Sequence, residues 1–155
     1  KKLQTLINVA EHKPELNQIE LHPFLQQPGM LEFCRNNKIH LTAYAPLGSG
    51  DRPKALKQAE EPILLKHPVV VDIANNNHLS PAQVLIAWAA GRGTAVIPKS
   101  VHPERLKENF EAVNIHLSEK DTKALSELDK HFRYVPGAAW IIPGSSYTFQ
   151  NIWDE

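Results

Sequence analysis

The sequence lacks most of the features on which familiar classes of site depend. Its 155 residues include one cysteine, Cys34, which excludes an internal disulfide framework and a cysteine-based zinc cluster. The eight histidines are scattered, with no H-E-x-x-H pair at helical spacing, so we expect no metal site. There is also no G-x-S-x-G elbow and no Walker loop, so a hydrolase or a kinase would lack its signature.

An excess of one charge and a long hydrophobic run are missing as well. Seventeen basic residues balance seventeen acidic ones, which leaves no broad positive field for nucleic acid. An apolar run from Val84 to Ala90 ends at Gly91 and Arg92 and is too short to span a bilayer. We therefore expect neither a nucleic-acid nor a membrane partner. A lone free thiol suits a reducing compartment, so Cys34 is expected to pack in the core of a cytoplasmic protein.

What the sequence does contain is a regular alternation of helical and extended segments. Helical patterns cover about 2–11, 30–36, 81–90, 103–113 and 119–130, and short strands are predicted at 18–21, 39–45 and 95–97. Alternation of this kind predicts an α/β fold with a parallel sheet covered by helices.

Two helix starts are marked by local chemistry alone. Ser80 and Gln83 have the spacing of a capping box, and Pro81 suits the first helical position because its missing N–H would have no partner there. Ser118 and Asp121 repeat the capping pattern before the last helix. Both are interpreted as structural signals.

The segment 97–110, IPKSVHPERLKENF, places cationic side chains where a strand gives way to a helix. Residues 95–97 are interpreted as a short buried strand that Pro98 ends, and His102 and Pro103 mark the start of the next helix. A helix N-terminus attracts anions, so the nearby Lys99, Ser100 and Arg105 could hold a phosphate. An ordinary solvated basic helix start would show the same charges.

Helical spacing sorts the residues after Pro103 onto two faces. The polar face, expected to be free for a ligand, holds Arg105, Glu108 and Asn109. The apolar face, expected to pack inward, holds Leu106, Phe110 and Val113.

Three motifs taken together resemble the aldo-keto reductase family. IPKSVxPERxxEN, at 97–109, is similar to the adenosine-phosphate motif of that family, and NQIELHP at 17–23 and TAYAPLGSGDRP at 42–53 agree with it in order and spacing. The resemblance covers nearly the whole chain and weakens in the last two dozen residues. It implies an oxidoreductase that uses NADP (NADPH).

The resemblance also implies which residues hold this cofactor. Lys99, Ser100 and Arg105 would bind the 2′-phosphate, and Glu108 and Asn109 would bind the adenine. Tyr44 would stack on the nicotinamide ring and Gln18 would hydrogen-bond its carboxamide. The remaining cofactor contacts would come from Leu47, Ser49 and Asp51 along the pyrophosphate and from Val101 beside the 2′-phosphate residues.

The fold implied by the resemblance is the C-terminal part of a (β/α)8 TIM barrel. Three strands cannot close a barrel of eight, so this is an incomplete barrel whose partner would be the missing N-terminal half. Residues 1–130 would form the barrel part and residues 131–155 a substrate-loop tail. The stretch Pro68–Asn76 has strand propensity in its valines, but the resemblance implies a helix there.

In this family the reaction is hydride transfer between NADP and an aldehyde or ketone, with Tyr, Lys, Asp and His as catalytic residues. The resemblance places those four on earlier strands, and position 1 is not methionine, so we expect a fragment without the catalytic residues. Tyr44, Lys99, Asp51 and His22 have suitable side chains for acid–base work, but their motif positions assign them to the cofactor or the scaffold.

The tail mixes proline and glycine with aromatic residues and is predicted to be a long ordered loop. In the family it folds over the active-site mouth, so Trp140 is the candidate for a wall of the carbonyl substrate site. A tail packed against the outside of the barrel is an equal alternative.

Two other functions stay open from the sequence. The chain could be a non-catalytic NADP-binding or regulatory module. It could also belong to a different phosphate-binding barrel, such as an isomerase that acts on a phosphorylated metabolite.

Overall fold

A computed structural model describes residues 1–153 of the chain. Helices and strands alternate along it. The helices are α1 (Lys2–Val9), α2 (Pro28–Asn36), α3 (Pro68–Asn76), α4 (Pro81–Gly91), α5 (Pro103–Glu111) and α6 (Glu119–Ser126). The strands are β1 (Leu16–Glu20), β2 (His40–Tyr44) and β3 (Ala95–Val96). Short 3-10 turns lie at Lys54–Leu56, Leu64–Lys66, Ala112–Asn114 and Ala138–Trp140.

The three strands form one parallel sheet in the order β1-β2-β3. Glu20 is paired with Tyr44, and Ala43 with Val96, so the carboxyl ends of all three strands lie along one edge. The predicted α/β class is confirmed, and the sheet is consistent with part of a (β/α)8 barrel.

The main core lies between the sheet and helices α3, α4 and α6. It includes Leu21 and Phe24 after β1, Leu85 and Trp88 on α4, and Leu125 on α6, each at most 2% exposed. A smaller cluster around Cys34 and Leu41 joins α1 and α2 to the outer side of β1 and β2. Cys34 is 1% exposed, and burial raises the pKa of its thiol, as expected for a packing residue.

Local chemistry places the helix starts where the sequence predicted them. The Ser80 hydroxyl accepts a hydrogen bond from the Gln83 backbone at 3.2 Å, and the Gln83 side chain accepts one from the Ser80 N–H at 3.0 Å. Ser118 likewise accepts from the Asp121 N–H at 3.1 Å. The valine-rich stretch Pro68–Asn76 is helical, as the family resemblance implied, although its valines favour a strand.

Several helix ends differ from the prediction by a few residues. Helix α6 ends at Ser126 rather than near 130 because the Gln26 amide donates to the carbonyls of Leu125 and Ser126, at 3.1 and 3.0 Å. The chain then turns, and the Lys130 N–H donates to the Phe24 carbonyl at 3.1 Å. Helix α1 ends at Val9 instead of 11. Helices α2 and α5 start at proline, as proline at the first helical position favours.

Two expectations for β3 and α5 are wrong. Residues 95–97 are not buried, because β3 pairs with β2 alone among the described strands and Ile97 is 48% exposed. The apolar face of α5 does not pack inward: the exposed fractions are 49%, 77% and 49% for Leu106, Phe110 and Val113. Asn109, at 8%, and Ala112, at 0%, are buried instead, so the polar face points toward the body of the protein.

Loss of the Ser80 cap should measurably destabilise the chain. We expect Ser80→Ala to lower the free energy of unfolding by about 1 kcal/mol, because the Gln83 N–H loses its acceptor. Urea unfolding followed by circular dichroism measures the change. Ser126→Ala is the matched control, since the Ser126 hydroxyl only donates to the Thr122 carbonyl on an exposed helix. Equal effects of the two substitutions would contradict the assigned cap.

Candidate functional site

A cleft of about 670 Å³ lies at the carboxyl edge of the sheet, between the loop after β2 and the start of α5. Pockets of this size commonly hold small molecules. Nine of the eleven predicted cofactor residues line it: Leu47, Ser49, Asp51, Lys99, Ser100, Val101, Arg105, Glu108 and Asn109. Segments that are separated by some fifty positions in the sequence therefore meet at one concave surface.

The two sides of the cleft are joined by an ion pair. The Lys99 Nζ lies 2.9 Å from the Asp51 carboxylate, and the hydrogen bond from Lys99 lowers the pKa of the Asp51 carboxyl. Both side chains are well exposed, at 65% and 61%. Exposed pairs of this kind contribute little to stability, so a bound anion could displace Asp51 from Lys99 at small cost.

The start of α5 forms the cationic wall of the cleft. The His102 N–H donates to the Ser100 hydroxyl at 3.1 Å, which holds the turn before the helix. Arg105 is exposed at the cleft, Glu108 is half-buried and Asn109 is buried. The polar face predicted to meet a ligand thus borders the cleft.

Gln18 and Tyr44 lie in a second recess rather than in the cleft. This second recess measures about 370 Å³ and also includes Arg133 and Trp153 from the tail. Tyr44 is the last residue of β2, and the next residue, Ala45, lines the cleft, so the two spaces adjoin at the end of that strand. Burial raises the pKa of Tyr44 to about 12, so its ring is an uncharged phenol at neutral pH.

The structure does not bring together the four side chains suited to acid–base work, which are those of Tyr44, Lys99, Asp51 and His22. Lys99 and Asp51 pair in the cleft, while Tyr44 lies in the second recess. The His22 side chain is 0% exposed and its Nε2 lies 2.9 Å from the Glu20 carboxylate. The four side chains therefore do not form a catalytic set in this structure.

Gly48 shapes the loop along the cleft. Its φ of 84° lies in the left-handed region, and a Cβ there would stand 3.1 Å from Leu64 and from the Tyr134 ring. Only glycine fits both the backbone angle and the space without strain.

Some residues of the site carried no signal in the local sequence pattern. Ser80, Pro81 and Ala82 line the cleft from the start of α4, although the sequence marked them only as a helix cap. Arg52 and Tyr134 lie behind the cleft loop, and a hydrogen bond from the Arg52 guanidinium to the Tyr134 carbonyl joins them across 82 positions of the chain. No motif or periodicity relates positions so far apart.

Trp140, the predicted substrate wall, lines neither space and is 50% exposed on the 3-10 turn Ala138–Trp140. The tail beyond it folds back, since the Trp153 Nε1 donates to the Pro136 carbonyl at 3.0 Å. Lys2 on α1 donates to the carbonyls of Asn151 and Ile152. Residues 154 and 155 of the predicted tail lie outside the described residues.

The described residues, 1–153, contain no group of three or more His, Cys, Asp or Glu side chains that could hold a metal ion. No helix among them is both long enough and apolar enough to cross a membrane.

Comparison with known proteins identifies relatives of the chain. The sequence profile of the Aldo/keto reductase family matches residues 1–130. An aldo/keto reductase of Synechocystis sp. is 53% identical over all 155 residues, which cover 47% of that protein. Aldo-keto reductase family 1 member A1-A of Danio rerio is 39% identical over the whole chain and 45% of its own length. Aldo-keto reductase family 1 member A1 of Homo sapiens is 36% identical over 87% of the chain and 41% of its own length. The chain spans less than half the length of these relatives.

Gly48 should tolerate no side chain. We expect Gly48→Ala to lower the free energy of unfolding by about 2–4 kcal/mol, because left-handed strain and overpacking against Tyr134 add together. Gly29→Ala on α2 is the matched control: nothing lies within 4 Å of the added Cβ, and the change should stay within about 1 kcal/mol. Urea unfolding of both variants decides, and a Gly48→Ala chain as stable as the control would refute the packing argument.

Proposed function

The chain belongs to the aldo/keto reductase family, and from this premise we propose that it forms the NADP-binding part of an oxidoreductase barrel. The observation that carries the proposal is the convergence of nine predicted cofactor residues on one cleft of about 670 Å³. These residues come from two segments, the loop after β2 and residues 97–110, and the parallel pairing of β2 with β3 brings them to the same edge of the sheet.

The adenosine end of NADP would lie against the start of α5. Lys99, Ser100 and Arg105 would bind the 2′-phosphate, since two cations and a hydroxyl line the cleft beside a helix N-terminus. Glu108 and Asn109, three and four residues after Arg105 on the same face, would bind the adenine, with Val101 beside them.

The rest of the cofactor would run along the loop after β2. Leu47, Ser49 and Asp51 would follow the pyrophosphate, and the Asp51 carboxylate, 2.9 Å from Lys99 without a ligand, would yield that cation to the 2′-phosphate. Tyr44 would stack on the nicotinamide ring and Gln18 would hydrogen-bond its carboxamide. Gln18 is exposed in the second recess, so its amide is available to a ligand rather than enclosed in the core.

When bound, NADPH supplies a hydride that reduces an aldehyde or ketone carbonyl to an alcohol. The described residues would hold and orient the cofactor, and the proton donor would come from outside this chain. Two observations support that division: His22 is fully buried on Glu20, and Lys99 is paired with Asp51 rather than with Tyr44.

The partner that we propose is the N-terminal half of the barrel. Strand β3 is paired on one side only among the described strands, and an apolar surface is formed by the exposed residues Leu106 and Phe110 on α5 and Val113 on the 3-10 turn after it. A neighbouring strand and helix would satisfy the strand edge and cover that surface. The tail, residues 131–155, would complete the substrate site, and Trp140 would form one wall of it.

A non-catalytic NADP-binding module is the second candidate, because the described residues assemble no catalytic set at the cleft: Lys99 is paired with Asp51, and Tyr44 and His22 lie elsewhere. Membership of the aldo/keto reductase family favours an oxidoreductase over the isomerase alternative. The buried thiol of Cys34 supports a reducing compartment, the cytoplasm.

Removal of the Arg105 charge should weaken NADPH far more than NADH. We expect Arg105→Ala to raise the Kd of NADPH about 10–100-fold, the effect of losing one charge-assisted hydrogen bond, and to change the Kd of NADH less than about threefold. Fluorescence titration of both nucleotides measures this. Arg35→Ala, which removes an exposed arginine of α2 outside the cleft, is the control and should change neither Kd. Equal losses for NADPH and NADH after Arg105→Ala would rule out a 2′-phosphate clamp.

The chain by itself should not reduce carbonyl compounds at an enzymatic rate. With NADPH and a simple aldehyde, we expect the 155-residue chain to stay well below about one turnover per second, because the family resemblance places the catalytic Tyr, Lys, Asp and His outside these residues. Loss of NADPH absorbance at 340 nm measures the rate. Turnover of one per second or faster would show that a catalytic group is present among these residues.

A further inference from the structure

The loop along the cleft and the C-terminal tail meet at one buried arginine. We propose that Arg52 and Tyr134 are positioning residues that order this loop and the tail as a single unit. We call the pair, with the groups that they bind, the Arg52–Tyr134 latch. The inference deepens the proposed function, because the loop borders the cofactor cleft and the tail is the proposed substrate wall.

Arg52 uses every N–H donor of its guanidinium group, which has five. Nε donates to the Ser49 carbonyl at 3.1 Å, and Nη1 donates to the carbonyls of Leu56, at 2.9 Å, and of Tyr134. Nη2 donates to both carboxylate oxygens of Glu61, at 2.7 and 2.8 Å. The two charged side chains are 10% and 11% exposed. One side chain therefore binds the start, middle and end of the loop, and also the tail.

Tyr134 binds the same loop from the tail side. It is 1% exposed, and its hydroxyl donates to the Pro62 carbonyl at 2.7 Å. Its ring lies against the backbone of Gly48, where no Cβ would fit, and the Arg52 guanidinium lies 5.6 Å from the ring centroid. The loop is thus held to Tyr134 at Gly48, Arg52 and Pro62, three points spread along its length.

Glu20 fastens this assembly to the sheet. Its carboxylate is 1% exposed and accepts hydrogen bonds from the N–H groups of Tyr134, at 2.6 Å, and of Val135, at 3.1 Å. The His22 Nε2, 2.9 Å away, completes its partners at the end of β1. A buried carboxylate stays favourable only while such partners are kept, so the tail is fixed at Tyr134.

Neither Arg52 nor Tyr134 lines the cleft, yet Leu47, Ser49, Asp51 and Arg52 belong to one loop. On its open side this loop is held by the exposed Lys99–Asp51 pair, and on its inner side by the buried latch. A ligand that fixes Ser49 and Asp51 restricts Arg52 as well, and through it the Tyr134 carbonyl. Because coupling between sites is reciprocal, order imposed on the tail should also favour the bound form of the loop.

Hydrogen exchange of the ligand-free chain tests the latch directly. Arg52→Lys keeps the charge but cannot make the five bonds, so we expect amide exchange to become at least about fivefold faster both in residues 49–61 and in residues 138–149. Lys57→Gln is the matched control, because the Lys57 Nζ donates to the Gly50 carbonyl within the same loop, at 2.6 Å. Lys57→Gln should make amide exchange faster in the loop and leave exchange in the tail unchanged. Faster exchange in the loop alone after Arg52→Lys would overturn the proposal.

Tyr134→Phe provides a second, milder test that does not depend on the fate of Arg52→Lys. It removes only the hydroxyl bond to Pro62 and keeps the ring, so we expect faster exchange in residues 60–64 although the change lies in the tail. Tyr147→Phe, at an exposed tail position, should leave those residues unchanged. Unaltered exchange at 60–64 in Tyr134→Phe would contradict the latch.

Hydrogen exchange in the presence of NADPH distinguishes a failure of the latch from a failure of the proposed function. In the unmodified chain we expect NADPH to slow exchange in residues 138–149 about fivefold or more, and in Arg52→Lys to bind without that effect. Equal protection of the tail in both chains would overturn the latch. If NADPH fails to bind the unmodified chain, the proposed cofactor is wrong, and the ligand-free comparison still decides whether Arg52 and Tyr134 couple the two segments.

Discussion

The candidate site depends on the parallel pairing of β2 with both of its neighbours. Because parallel strands end at the same edge, this pairing brings Glu20, Tyr44 and the Lys99 turn together although they are far apart in sequence. Of the cofactor residues that we propose, Gln18 and Tyr44 lie within β1 and β2, and the other nine follow the ends of β2 and β3 or lie on α5. Loss of register at β2 would therefore separate the cleft from the second recess, whatever happened to the individual side chains.

The loop along the cleft is held by two ion pairs, one exposed and one buried. Lys99 and Asp51 form an exposed ion pair that a ligand phosphate can rearrange at little cost. Arg52 and Glu61 form a bidentate pair that is about nine-tenths buried, and breaking one partner there would leave an uncompensated charge. The loop thus has one adaptable edge, toward the ligand, and one fixed edge, toward Tyr134 and the tail. This arrangement suits the proposed role of the loop, which is to admit a nucleotide while it stays attached to the rest of the chain.

The helices and strands could largely be predicted from the sequence, whereas the orientation of α5 could not. Capping at Ser80 and Ser118 and the proline at position 103 depend on neighbours within a few residues, so local pattern located those helices. For α5, apolar spacing indicated that Leu106 and Phe110 would be buried, but the structure buries Asn109. Periodicity shows which residues share a face, but only the neighbouring elements decide which face turns inward. Helix α4 contacts both α5 and the 3-10 turn Ala112–Asn114, and Asn109 and Ala112 are buried there.

By itself, the sequence determined the family, the alternation of helices and strands, and the set of residues proposed to bind NADP, because these follow from short motifs and local capping. The tertiary structure alone decided that nine of those residues share one cleft while Gln18 and Tyr44 face another, and that Trp140 lies outside both. It also decided that Glu20, Arg52 and Tyr134 meet. Contacts over 82 and 114 positions arise from strand pairing and burial, which leave no local trace in the chain.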